Sequence, residues 1–101
     1  MKHTHTLKNY EGSPEQLAEE IGDLFYDSLA DLLHLLSEKL QKDANADLVR
    51  QRFKLGRHLK ECSLHLERAS HEIQQAWQIC EPHVPLEYQR VTSQNAPASQ
   101  Q

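Results

Sequence analysis

LVRQRFKLGRHLKECSLHLERASHEIQQAWQIC, residues 48–80, decides the fold through its spacing. Leu48, Arg52, Leu55, Leu59, Cys62, Leu66, Ala69, Ile73, Ala76 and Cys80 follow one another at alternating steps of four and three. That is a heptad stripe, the pattern of a helix that keeps one face against a neighbour over many turns. Arg52 alone breaks its apolar character, and a charged residue on such a stripe fixes register at some cost in stability. The adjoining row, Val49, Gly56, Ser63, Ser70 and Trp77, is small in its three middle members. Small residues admit a close neighbour, and Trp77 can close one end with a large apolar plug. The predicted helix runs from about Ala46 to Glu81, where Pro82 stops it.

Upstream, Ser13-Pro14-Glu15-Gln16 is a helix start, with serine as N-cap, proline at the first helical position and glutamine to complete a capping box. From there Leu17, Ile21, Leu24, Phe25, Ser28, Leu29, Leu32, Leu35, Leu36 and Leu40 recur at helical spacing over about half the helix circumference. Lys42-Asp43-Ala44-Asn45-Ala46-Asp47 is short and polar and reads as the loop between two antiparallel helices. The expectation is an all-α protein built on a helical hairpin. The first helix's face is too wide for a single neighbour, so two hairpins are expected to form a homodimeric four-helix bundle. The domain outline is a flexible segment over 1–12, the hairpin over 13–83 and an extended, then disordered, tail over 84–101.

The chain has 101 residues, one domain's worth, with 38% hydrophobic and 26% charged side chains. The longest uncharged apolar run, Leu32 to Leu36, is interrupted by His34 and falls far short of the ~20 residues of a bilayer span. Residues 1–12 have no apolar core of a secretory signal. Cys62 and Cys80 lie 18 residues apart on one helix, hence ~27 Å apart, and cannot bridge within the chain. A reduced, cytoplasmic protein is the simplest reading. Charge is segregated: residues 13–47 hold nine acidic and two basic side chains, whereas residues 48–60 hold five basic and no acidic ones. Folded antiparallel, the basic run should lie alongside Asp31, Glu38 and Asp43. It is spread around its helix with only Phe53 as an aromatic companion, so nucleic-acid binding is not expected.

Three groups of residues could carry chemistry. His58, Cys62 and His65 offer nitrogen and sulfur ligands on one helical face. However, residues seven apart are separated by ~10.5 Å along the axis, too far for all three to close around one ion. Glu20, Asp23, Asp27, Asp31, His34 and Glu38 make an acidic row that could hold Mg²⁺. Within it, Glu19 to Leu40, EEIGDLFYDSLADLLHLLSEKL, resembles the second metal-ligand helix of the all-α nucleotide pyrophosphohydrolases of the MazG kind. Glu20 and Asp23 match that family's E-x-x-D step; the resemblance covers about a fifth of the chain. It implies a metal-dependent hydrolase, with the family's preceding E-x-x-E helix having no counterpart in residues 1–12. The third group is the stripe itself, Leu48 to Cys80 with Trp77, as an interface. No phosphate-binding loop, nucleophile elbow, C-x-x-C or H-E-x-x-H motif is present. The function expected from these residues is a non-enzymatic interaction or scaffold module, with no cofactor and with room for a protein partner.

Overall fold

A computed structural model describes residues 3–88. The described residues form helices α1 (Pro14–Gly22), α2 (Tyr26–Val49) and α3 (Phe53–Cys80), then 3₁₀ turns at Glu81–His83 and Leu86–Tyr88. No strand occurs among them. The fold is carried by α2 packed antiparallel on α3.

α1 starts where the sequence places it. Ser13 Oγ accepts from the Gln16 amide at 3.1 Å and Gln16 Oε1 accepts from the Ser13 amide at 2.8 Å, closing the capping box with Pro14 in the first turn. The first long helix expected from Ser13 onward is, however, two helices. Gly22 ends α1, and Asp23 caps it by donating to the Glu19 and Ile21 carbonyls. Phe25 then adopts extended backbone (φ −55°, ψ 147°) before α2 begins. Glycine is the weakest non-proline helix former, and the break turns Phe25 toward the Trp77 ring, 6.0 Å away between centroids at 48°.

The expected loop at 42–47 is also corrected, since those residues are helical. Lys39 Nζ reaches Asp43 Oδ2 at 2.6 Å one turn on, and Ala44 is fully buried against α3. The turn lies at Arg50–Arg52. Gln51 takes the left-handed conformation (φ 63°), the Arg52 amide donates to the Asp47 carbonyl (2.8 Å), and the Gln51 amide donates to the Leu48 carbonyl (3.0 Å). This is a Schellman C-cap. An apolar contact usually ties its two ends; here Arg52 Nη1 instead meets the largely buried Asp47 Oδ1 at 3.4 Å.

The helices meet through small side chains spaced seven apart. Ala30, Ser37 and Ala44 of α2 and Gly56, Ser63 and Ser70 of α3 are the buried residues of the contact. Ser70 Oγ donates to the Ala30 carbonyl at 2.7 Å, and a Cβ placed on Gly56 would sit 3.1 Å from the Ala44 carbonyl. Ala30 therefore opposes Ser70 and Ala44 opposes Gly56, which sets Ser37 level with Ser63. Of the small row read from the sequence, Val49 falls outside, at the end of α2 and 83% exposed. Among the described residues no side chain larger than Asp47 is buried.

Past Cys80, Pro82 converts the helix into a 3₁₀ turn rather than releasing an extended chain. Val84 is extended before Leu86–Tyr88 turns again, and both of those end residues are exposed. The tail expected beyond residue 88 lies outside the described residues.

Two substitutions probe the turn and the contact. Gln51→Gly should raise stability by up to about 1 kcal/mol, the cost of a left-handed non-glycine residue, seen as a melting temperature a few degrees higher. Gly56→Ala should lower it although alanine favours helix, because the new methyl would lie 2.8 Å from Leu48 Cγ and Cδ2. Overpacking of that kind costs about 1–3 kcal/mol against about 1 kcal/mol gained in propensity. An unchanged or higher melting temperature for Gly56→Ala would show that the helices are not in close contact there.

Candidate functional site

The hairpin has two unlike sides. Taking the small row as the contact line, residues one before it and three after it project to one side from both helices. On α2 these are Leu29, Leu33, Leu36 and Leu40, then Asp43 and Asp47 at the turn end, and on α3 they are Leu55, Leu59, Cys62, Leu66, Ala69, Ile73, Ala76 and Cys80. The heptad stripe is thus not the line on which α2 meets α3; it flanks that line. The physical reason is size, since backbones that approach through glycine, alanine and serine leave no room for leucine between them. Leu48, Leu59, Leu66, Ala69, Ile73, Ala76, Trp77 and Cys80 are half-buried, while Arg52, Leu55 and Cys62 are exposed. Leu36, on the facing edge of α2, is 46% exposed.

At the turn, which we call the tip, this apolar side opens into a cavity of about 520 Å³. Leu40, Leu55 and Leu59 line it together with the cations Lys39, Arg50 and Arg52 and the carboxylates Asp43 and Asp47. His3 lines it too, so the chain from His3 to Phe25 runs the length of the hairpin, from the tip to the Phe25–Trp77 end, the base. Leu17 and Ile21 of α1 are half-buried, but the segment does not seal the leucines.

The opposite side is polar, with Asp31, His34, Glu38 and Gln41 facing Lys60, Glu67, His71 and Gln74. Its centre is a three-residue network. His34 Nδ1 lies 2.9 and 3.1 Å from the Glu67 carboxylate oxygens. Ser37 Oγ is 2.7 Å from both Glu67 Oε1 and the His34 carbonyl, so one hydroxyl proton serves acceptors on both helices. Ser63 Oγ donates to Gln41 Oε1 at 3.2 Å. The hydrogen bond and charge of Glu67 raise the His34 pKa above 6.5, and the Ser37 hydroxyl and then His34 lower the Glu67 pKa below 4.5. The serine bonds to the glutamate and not to the imidazole, so the trio is a cross-helix brace and not a nucleophile-and-base arrangement.

The candidate metal residues are dispersed. Glu20 is on α1, where Oε2 accepts from Tyr10 Oη at 3.0 Å; loss of solvent and the Glu20 carboxylate push that phenol above its ordinary pKa. Asp23 caps α1, and Asp27 belongs to the first turn of α2, accepting from the Ser28 amide at 2.7 Å. The helix that carries the pyrophosphohydrolase resemblance is therefore interrupted within its acidic row. His58 and His65 are exposed, and His65 Nε2 comes only to 3.9 Å from Glu61 Oε2. Among the described residues no three His, Cys, Asp or Glu side chains gather as a metal cage. Nor is any described helix long and apolar enough to cross a membrane. The chain matches no known protein family, no curated protein and no solved structure.

Of the basic run expected to lie along acidic residues of α2, Arg52 pairs with Asp47 at the turn, 3.4 Å away. With Ala44 opposite Gly56 and Ala30 opposite Ser70, Asp43 is level with Arg57 and Asp31 with Ala69. Sequence reasoning did not find the His34–Glu67–Ser37 brace, because its members are far apart in the chain and only the register brings them together.

The brace predicts a pH effect. A histidine whose pKa rises on folding adds stability below 6.5 and loses it as pH climbs through the raised value; a glutamate whose pKa falls on folding adds stability above 4.5 and loses it as pH drops through the lowered one. The pair is thus fully effective between 4.5 and 6.5. Being half-exposed, it should give a modest effect. Between about pH 6 and about pH 8 the wild-type melting temperature should fall further than that of His34→Gln. Parallel declines in the two proteins would show that the pair does not couple to folding.

Proposed function

We propose that the chain is a non-enzymatic helical interaction module that acts as a cytoplasmic homodimer, two hairpins forming a four-helix bundle that engages a protein partner. The observation that carries this reading is the missing core. A hairpin whose buried residues are alanine, glycine, serine and one aspartate has little apolar burial to offset its chain entropy, while its leucines stand ready at the surface. Exposed apolar area of this kind on a small protein marks an interface. A second copy laid on the leucine side supplies the core, as in four-helix bundles generally. The polar side, with its His34–Glu67 brace, then faces outward, as do the exposed Leu86 and Tyr88, and these are the surfaces left to a protein partner. Two free cysteines agree with a reducing compartment.

Sedimentation equilibrium at micromolar concentration should return twice the chain mass of 11.7 kDa. Leu36→Glu should shift the protein to monomer, because a carboxylate buried without a partner costs about 3 kcal/mol, more than 100-fold in Kd. Leu64→Glu, an equally exposed leucine (47%) on the polar side, should leave the dimer intact. A stably folded wild-type monomer, or equal effects from the two variants, would overturn the reading.

A further inference from the structure

We infer that the two copies pack antiparallel, the tip of each hairpin beside the base of the other. The inference rests on the homodimer proposed above and adds its orientation. Folding sorts the charges of the hairpin along its axis. In the tip half, residues 39–61, seven basic side chains, among them Arg50, Lys54 and Arg57, stand with three acidic ones, a net +4. In the base half, residues 26–38 and 62–81, six acidic side chains, including Asp27, Asp31 and Glu72, stand with Arg68 alone, a net −5. The two halves are level-matched, because residue 39 of α2 lies opposite residue 61 of α3 in the register set by Ala30–Ser70 and Ala44–Gly56. The ion pairs that tie the tip's cations, Arg52–Asp47 and Lys39–Asp43, use acids of the same half and leave its excess in place.

A second copy can cover the leucine side with its tip at the same end or at the opposite end. Either choice sets neighbouring helices antiparallel, so helix dipoles do not choose between them. Charge does. Tips together place +4 beside +4 and −5 beside −5, whereas tips apart place each tip against an acidic base twice over. The occupant of the leucine side is then this same chain, inverted, rather than an unrelated apolar partner, because the chain carries both halves of the complementary pattern.

Spin labels read the orientation directly. Val49→Cys puts a label at the exposed tip, with Cys62→Ser and Cys80→Ser removing the native thiols. The 24 residues of α2 span roughly 36 Å, so pulsed electron resonance on the dimer should give an inter-label distance of about 36 Å or more. A distance under about 20 Å in a protein that sediments as a dimer would overturn the orientation alone. A monomer would overturn the homodimer reading and this inference with it. The sign of a charge change is an independent check. Lys54→Glu with Arg57→Glu brings the tip from +4 to neutral and should weaken Kd about 10-fold or more at low salt, the difference fading near 1 M salt. With tips together the same change would relieve repulsion and tighten the dimer.

Discussion

The close approach of α2 and α3 is the constraint on which the rest of the molecule depends. With Ala30, Ser37 and Ala44 set against Gly56, Ser63 and Ser70, no large side chain separates the backbones, and Gly56 has no room even for a methyl group beside Leu48. The attraction there comes from many short-range contacts and from hydroxyls that bond across the gap, Ser70 to the Ala30 carbonyl and Ser37 to Glu67. Large residues are displaced to the flanks. Leucines gather on one flank and polar groups on the other, so the two-sided character of the hairpin follows from what its centre excludes.

Much of this was legible in the chain. The capping box at Ser13–Gln16, the end of α3 at Pro82 and the small row through Gly56, Ser63 and Ser70 are local signals, and local physics decides them. The turn was not legible, because its left-handed residue is Gln51 and not glycine, while the polar residues 42–47 mimic a loop. Those residues are helical because Ala44 falls in the contact row and Lys39 reaches Asp43 within one turn. The leucine stripe was legible as a stripe but not as a flank. Periodicity gives the face a residue occupies, and only the sizes on both helices together tell which row lies at the centre. The acidic row of the candidate metal residues was misleading for a similar reason, since periodicity ran through Gly22 without a sign that the axis changes at Asp23–Phe25.

The tip shows how a few residues link local geometry to charge. Asp47 ends α2 with its carbonyl held by the Arg52 amide and its carboxylate by the Arg52 guanidinium. That pairing compensates for a missing glycine, and it draws a basic segment into the turn. Arg50, Lys54 and Arg57 then crowd the same end of the molecule, far from Asp27 and Asp31. A short turn thus fixes both register and polarity.

The repeat that makes the contact also makes it ambiguous. Shifted by one heptad, α3 would oppose Gly56 to Ser37 and Ser63 to Ala30, and the turn would fall near Ala46–Asp47, among the polar residues that resemble a loop. Two of the three small pairs survive such a slip. The native register keeps the third, Ala44 with Gly56, and keeps Phe25 on Trp77, whereas the slipped one would drive Asp23 toward Ser70. The chain therefore carries two ladders of small residues, and the capped turn at one end with the aromatic pair at the other holds the native one.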